Sequence, residues 1–224
     1  MGIRGTTSRS RAELSEDIEN SGMRYTATSD REFTTYGLQC FGNDTGKAVS
    51  VLGDIICNSA LNSAEFELCK EEVSNEHEDN HNRFEETTLE NCHFNSFREH
   101  MLGQPIKGDR DMTQQVTLEN LREFHGANYY GDNITVVATG NVNHDQIVDA
   151  VQQHFHSLSK TTNVQAVNQE KPVYIPGLLM IRDDEMYNAN VGVFYDAPSV
   201  RDEDYYSFKL LKHIFGEYRI DKNA

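Results

Sequence analysis

The stretch SRAELSEDIENSGMRYTATSDREFTTYGLQCF, Ser10 to Phe41, sets the layout of the chain. Ser10 ahead of an acidic first turn, with Gly22 beyond the last apolar position, predicts a short helix over Arg11–Asn20. The Thr, Tyr and Phe residues that follow, broken by Ser29 and Asp30, read as two strands joined by a tight turn. Strand pairs separated by helices imply an α+β class, a mainly antiparallel sheet with helices packed on one face.

The rest of the chain extends that pattern. GNDTGKAVSVLGDIICNSAL places Val49, Leu52, Ile55 and Ile56 at helical spacing and predicts a core helix. Ser63 caps a long helical region from Ala64 to about Glu99, bent at the weak helix formers Asn80 and Asn82. A loop, LGQPIKGDRDM, leads to a helix capped by Thr117. DNITVVATGNV reads as a buried strand and NHDQIVDAVQQHFHSL as the helix after it. SKTTNVQAVNQEK lacks periodicity and reads as a linker. GLLMIRDD and NANVGVFYDAP look like a further strand pair, and DEDYYSFKLLKHIFGEY like a helix. The expected organisation is a domain over 1–158, a linker over 159–171 and the start of a second domain over 172–224.

Charge narrows the classes of partner. A net charge of −16 argues against nucleic acid and anionic membrane surfaces, which need clustered Lys and Arg, and favours a cationic partner. No apolar run approaches the ~18 residues of a bilayer span, so no membrane insertion is expected. Cys40, Cys57, Cys69 and Cys92 show neither CxxC spacing nor a disulfide framework and read as reduced thiols. MGIRGT fits a myristoylation pattern, and residues 1–12 are basic and Ser-rich like a transit peptide. Both readings require Met1 to be the natural start.

Half of the net charge lies between Glu65 and Glu99, where eleven acidic residues face only Lys70, Arg83 and Arg98. Within it, His77-Glu78-Asp79-Asn80-His81 spells HExxH, the pattern by which zincins hold zinc and a general base. Its surroundings argue against a rigid metal helix, because residues 74–83 contain no aliphatic or aromatic side chain to pack it. On one straight helix, at ~100° per residue, Glu72, Glu76, Asp79, Glu86 and Glu90 share a sector of about 80°, and His77 and His81 lie outside it. Like charges in one sector repel unless a cation neutralises them, so a metal or a basic ligand is the functional reading and a solvated acidic face the bland one.

Several collinear stretches resemble one family. The segment from Met1 to Phe41, LENCHFNSFREHMLGQPIKG and NYYGDNITVVATGNVNHDQIVDAVQQHF are similar to the pitrilysin/insulinase superfamily of inverted-motif zinc peptidases. The nearest branch is that of processing-peptidase beta subunits and respiratory core subunits. The family holds zinc through HxxEH and a distal Glu. If the chain begins just after that motif, the distal position falls on Glu76, and the auxiliary acid two turns earlier is replaced by Cys69.

The resemblance also implies that Glu86 and Glu90 bind arginine in basic presequence peptides. It implies an alpha-type partner subunit, a mitochondrial matrix location or the matrix face of the inner membrane, and an incomplete metallohydrolase fold. The sequence contains no HxxEH, so the expectation is a fragment with no catalytic residue of its own and a doubtful hold on zinc. The alternatives are a non-catalytic core subunit of ubiquinol:cytochrome c reductase and, least favoured, a zincin using His77 and His81.

Overall fold

The computed structural model describes residues 3–80, 84–161, 171–182, 184 and 189–215, with the backbone alone described for residues 77–80. Helix α1 (Arg11–Asn20) opens with a reciprocal cap: the Ser10 side chain accepts from the Glu13 N–H, and the Glu13 carboxylate accepts from the Ser10 N–H at 2.8 Å. It buries Leu14 and Ile18. Strands β1 (Arg24–Ser29) and β2 (Thr34–Gln39) pair antiparallel in register from Arg24 opposite Gln39 to Ser29 opposite Thr34. Asp30 closes their turn by accepting from the N–H groups of Glu32 and Phe33, each at 2.7 Å.

Helix α2 (Thr45–Cys57) packs beside this hairpin and completes the main core of Leu14, Ile18, Met23, Ala48, Val51 and Ile55. Val51, 1% exposed, is its deepest member on α2, whereas Leu52 is only half-buried. Residues 3–9 belong to the same unit. The Asp54 carboxylate, buried on α2, accepts from Thr6 Oγ1 at 2.8 Å, from Arg9 Nη2 at 2.7 Å and Nε at 2.9 Å, and from Asn58 Nδ2 at 2.9 Å. Burial pushes this carboxyl up, but the hydrogen bonds from Asn58, Thr6, Arg9 and Ser8 outweigh it and hold it below the usual range. The basic N-terminal segment is therefore built into this unit through Thr6 and Arg9.

The region expected as one bent helix is described on either side of residues 81–83, as α3 (Ser63–Asn80) and α4 (Phe84–Phe97). Four further helices follow: α5 (Arg110–Gln115), which lies against α3, α6 (Leu118–Asn128), α7 (His144–His154) and α8 (Tyr205–Phe215). Thr117 caps α6 as expected, accepting from the Asn120 N–H at 3.2 Å. α7 crosses α2 at Gly53, where a Cβ would stand 2.9 Å from both Cβ and O of His154. No described helix is long and apolar enough to cross a membrane.

The fold class is α+β, with one two-stranded antiparallel sheet among the described residues. DNITVVATGNV, GLLMIRDD and NANVGVFYDAP, expected as strands, carry no strand ladder where they are described. A strand is defined by the neighbour that receives its N–H and C=O groups, and no described segment fills that place. The core of the expected linker, residues 162–170, lies outside the described residues.

Candidate functional site

The acidic residues singled out in the sequence are distributed over α3 and α4. On α3, Glu65 and Glu72 turn towards the N-terminal loop, where Arg4 forms ion pairs with both and Arg11 Nη1 lies 3.6 Å from Glu65. Phe66 anchors this end of the helix in the interior. Lys70 Nζ donates to the carbonyls of Gln114 at 2.7 Å and Val116 at 3.1 Å, fixing the end of α5. Glu76 lies one turn beyond Glu72 and is exposed. Cys69 is half-buried and its thiol is free.

Residues 81–83 lie outside the described residues, so Glu72 and Glu76 are placed on α3 and Glu86 and Glu90 on α4. His81 lies outside the described residues, as does the side chain of His77, so the HExxH reading falls outside the described structure.

Glu86 and Glu90 stand one turn apart on α4 and therefore share a face. Glu86 is exposed; Glu90 Oε2 accepts from Arg31 Nη2 at 2.7 Å, with side-chain exposures of 23% for Glu90 and 14% for Arg31. Arg31 comes from the β1–β2 turn. Its Nε also donates to the Leu102 carbonyl at 3.1 Å, and Nη2 approaches that of Gln104 at 3.5 Å.

His93 lies one turn beyond Glu90 on α4; burial and the nearby Arg31 depress its pKa, against the pull of Glu90 and the Leu102 backbone. Its Nδ1 is buried without a partner, and its ring stands edge-on to Phe194 at 4.9 Å. Sequence reasoning missed Arg31 and His93. Arg31 stands between Asp30 and Glu32 in the turn, where the local pattern accounts for its charge and gives no signal of a distant partner.

The other side of α4 borders a cavity of about 580 Å³, where Thr88, Cys92 and Asn95 face Leu178, Met180 and Phe194. Among the described residues no three His, Cys, Asp or Glu side chains come together to hold a metal ion. Zinc takes four ligands, and a single exposed Glu76 carboxylate does not fit it.

Residues 1–110 match Insulinase (Peptidase family M16), and residues 115–222 match the Peptidase M16 inactive domain. The chain belongs to the insulinase family, M16. Among similar M16 relatives, the mitochondrial-processing peptidase subunit beta of Neurospora crassa is 29% identical over 221 residues, covering 97% of this chain and 46% of that protein. The human cytochrome b-c1 complex subunit 1, mitochondrial, is 26% identical over 219 residues, again 97% of this chain and 46% of that protein.

This M16 chain thus spans about half the length of the curated relatives it matches. A protease from Helicobacter pylori shares the fold with a TM-score of 0.66 at 18% identity, over 78% of this chain and 42% of that one. A peptidase M16 inactive domain from Pseudomonas fluorescens does so with a TM-score of 0.68 at 14% identity, over 77% and 42%.

Proposed function

We propose that this M16 chain is part of a mitochondrial protein of the processing-peptidase beta type, and that its α4 acid face reads arginine in basic presequence peptides. In this reading Glu86 and Glu90 are the reading carboxylates, an alpha-type subunit is the partner, and the site of action is the matrix or the matrix face of the inner membrane. One observation carries it: the Glu90 carboxylate already holds a guanidinium, at 2.7 Å. Carboxylates recognise guanidinium through charge-assisted hydrogen bonds that a neutral donor does not match. The net charge of −16 draws basic peptides to the surface.

Glu76 is the proposed metal carboxylate of a complete zinc site. Alone it does not fit the ion, so no hydrolytic step is assigned to this chain and it is expected to bind peptide without cleaving it. The test is to titrate a fluorescent amphipathic peptide carrying one arginine into the wild type and Glu86→Gln at low ionic strength. Affinity is expected to fall about tenfold in the variant. Unchanged affinity overturns the arginine-reading role of Glu86, and zinc-dependent cleavage lost in Glu76→Gln overturns the non-catalytic assignment.

A second reading, a core subunit of a respiratory complex, is favoured by Cys69 at the position where the resemblance places an auxiliary acid. It predicts no arginine preference in the same titration.

A further inference from the structure

The carboxylate of Glu90 does not act alone. Glu90 Oε2, the Leu102 carbonyl and the Gln104 carbonyl converge on one guanidinium, with donor–acceptor distances of 2.7, 3.1 and 3.5 Å. These acceptors come from α4 and from the loop that follows it. The guanidinium comes from a distant part of the chain, the turn between β1 and β2.

We propose that this cradle is a guanidinium site which the chain fills with its own Arg31, and that an arginine of a basic partner enters it by displacing the hairpin tip. The peptide part of this inference rests on the arginine-reading function proposed above; the guanidinium site itself does not. The selectivity follows from shape. A guanidinium presents a planar fork of five N–H donors, so Nε and Nη2 can address a carbonyl and a carboxylate at the same time, whereas an ammonium is a single compact centre. Arginine should therefore enter and lysine should not.

The tip is suited to leaving. Asp30, Glu32 and Phe33 are exposed, Phe33 at 67%, so lifting the tip uncovers little apolar surface. Asp30 holds the turn's own shape by accepting from Glu32 and Phe33, independently of α4. The hydrogen bonds that tie the tip to α4 and its following loop come from Arg31.

Chemical rescue tests the site, and peptide binding tests the displacement. Arg31→Ala empties the cradle. Methylguanidinium is expected to raise the Tm of this variant by several degrees more than that of the wild type. Methylammonium is expected to show no such difference, and the double variant Arg31→Ala, Glu90→Gln to show no rescue. Equal shifts in wild type and variant overturn the guanidinium site. Should Arg31→Ala fail to fold, Arg31→Lys keeps a charge while removing the fork and serves in its place.

In the second arm, the emptied variant is expected to bind the one-arginine peptide about tenfold more tightly than the wild type, with no gain for the lysine version. Rescue by methylguanidinium without a gain for the peptide overturns displacement by a basic partner. Failure of rescue alongside Glu86-dependent peptide binding sinks the cradle and leaves the arginine-reading function standing. Rescue in a protein whose wild type shows no arginine preference does the reverse.

Discussion

Up to Gly103 the chain has an interior; beyond it, none of the described residues is buried. The contrast is not one of composition. Leu14 is 0% exposed and Leu178 is 93% exposed, and Val137, Met180, Val191 and Tyr206 are open to solvent in segments as apolar as α2. What differs is the neighbour. α1, the hairpin and α2 follow one another in sequence and close on each other, so Leu14, Met23, Val51 and Ile55 meet within one short stretch of chain. Residues 172–182 and 189–198 have strand composition but no strand ladder. Apolar patterning states which side chains favour burial; it does not state what covers them.

The sharpest way to break this comparison is a matched pair of truncations. Leu14→Ala should cost about 3 kcal/mol in urea unfolding, the range for emptying a buried leucine site. Leu178→Ala, at the far end of the contrast, should cost no more than about 0.5 kcal/mol. Similar losses at both positions would show that the later half has an interior after all. Asp54→Ala should cost about 3 kcal/mol, because it leaves the Arg9 guanidinium and the Thr6 hydroxyl in a part-buried site without their shared acceptor.

The next effect is smaller and concerns a place where the halves meet closely. Gly53→Val should cost about 2 kcal/mol in thermal or urea unfolding, since its side chain would press on His154 where α7 crosses α2. A neutral result would mean that this crossing is looser in solution than the close approach implies.

The smallest effect expected is a pH dependence from His93. Its folded pKa is depressed, first by burial and then by Arg31, so the unfolded chain takes up the proton first. Stability should therefore fall as pH drops below about 6.5, the ordinary histidine value, towards the lower folded value. His93→Gln should flatten that slope between about pH 7 and pH 5, measured by urea midpoints across the range. A slope unchanged by the substitution would contradict the burial assigned to this ring.

Local features of the fold were legible in the sequence. The Ser10 cap, the hairpin, the Thr117 cap and the helix after Asn143 all depend on interactions within a few residues, and they stand where the residue pattern places them. The strands that are missing depend on partners far away in sequence, which no local pattern reveals. The same limit governs the site. Glu86 and Glu90 could be placed on one helical face by spacing, but the pairing of Glu90 with Arg31 spans 59 positions. The HExxH spelling is a local match whose side chains lie outside the described residues.

The arginine-reading face is tested most directly by replacing the guanidinium of the ligand and nothing else. A basic amphipathic peptide carrying one arginine is compared with the same peptide carrying citrulline, by fluorescence anisotropy against the wild-type chain at low ionic strength. The arginine peptide should bind about tenfold more tightly, as expected for a charge-assisted pair lost, and added salt should reduce the difference. Equal affinity for the two peptides would contradict the assignment of α4 as an arginine-reading surface.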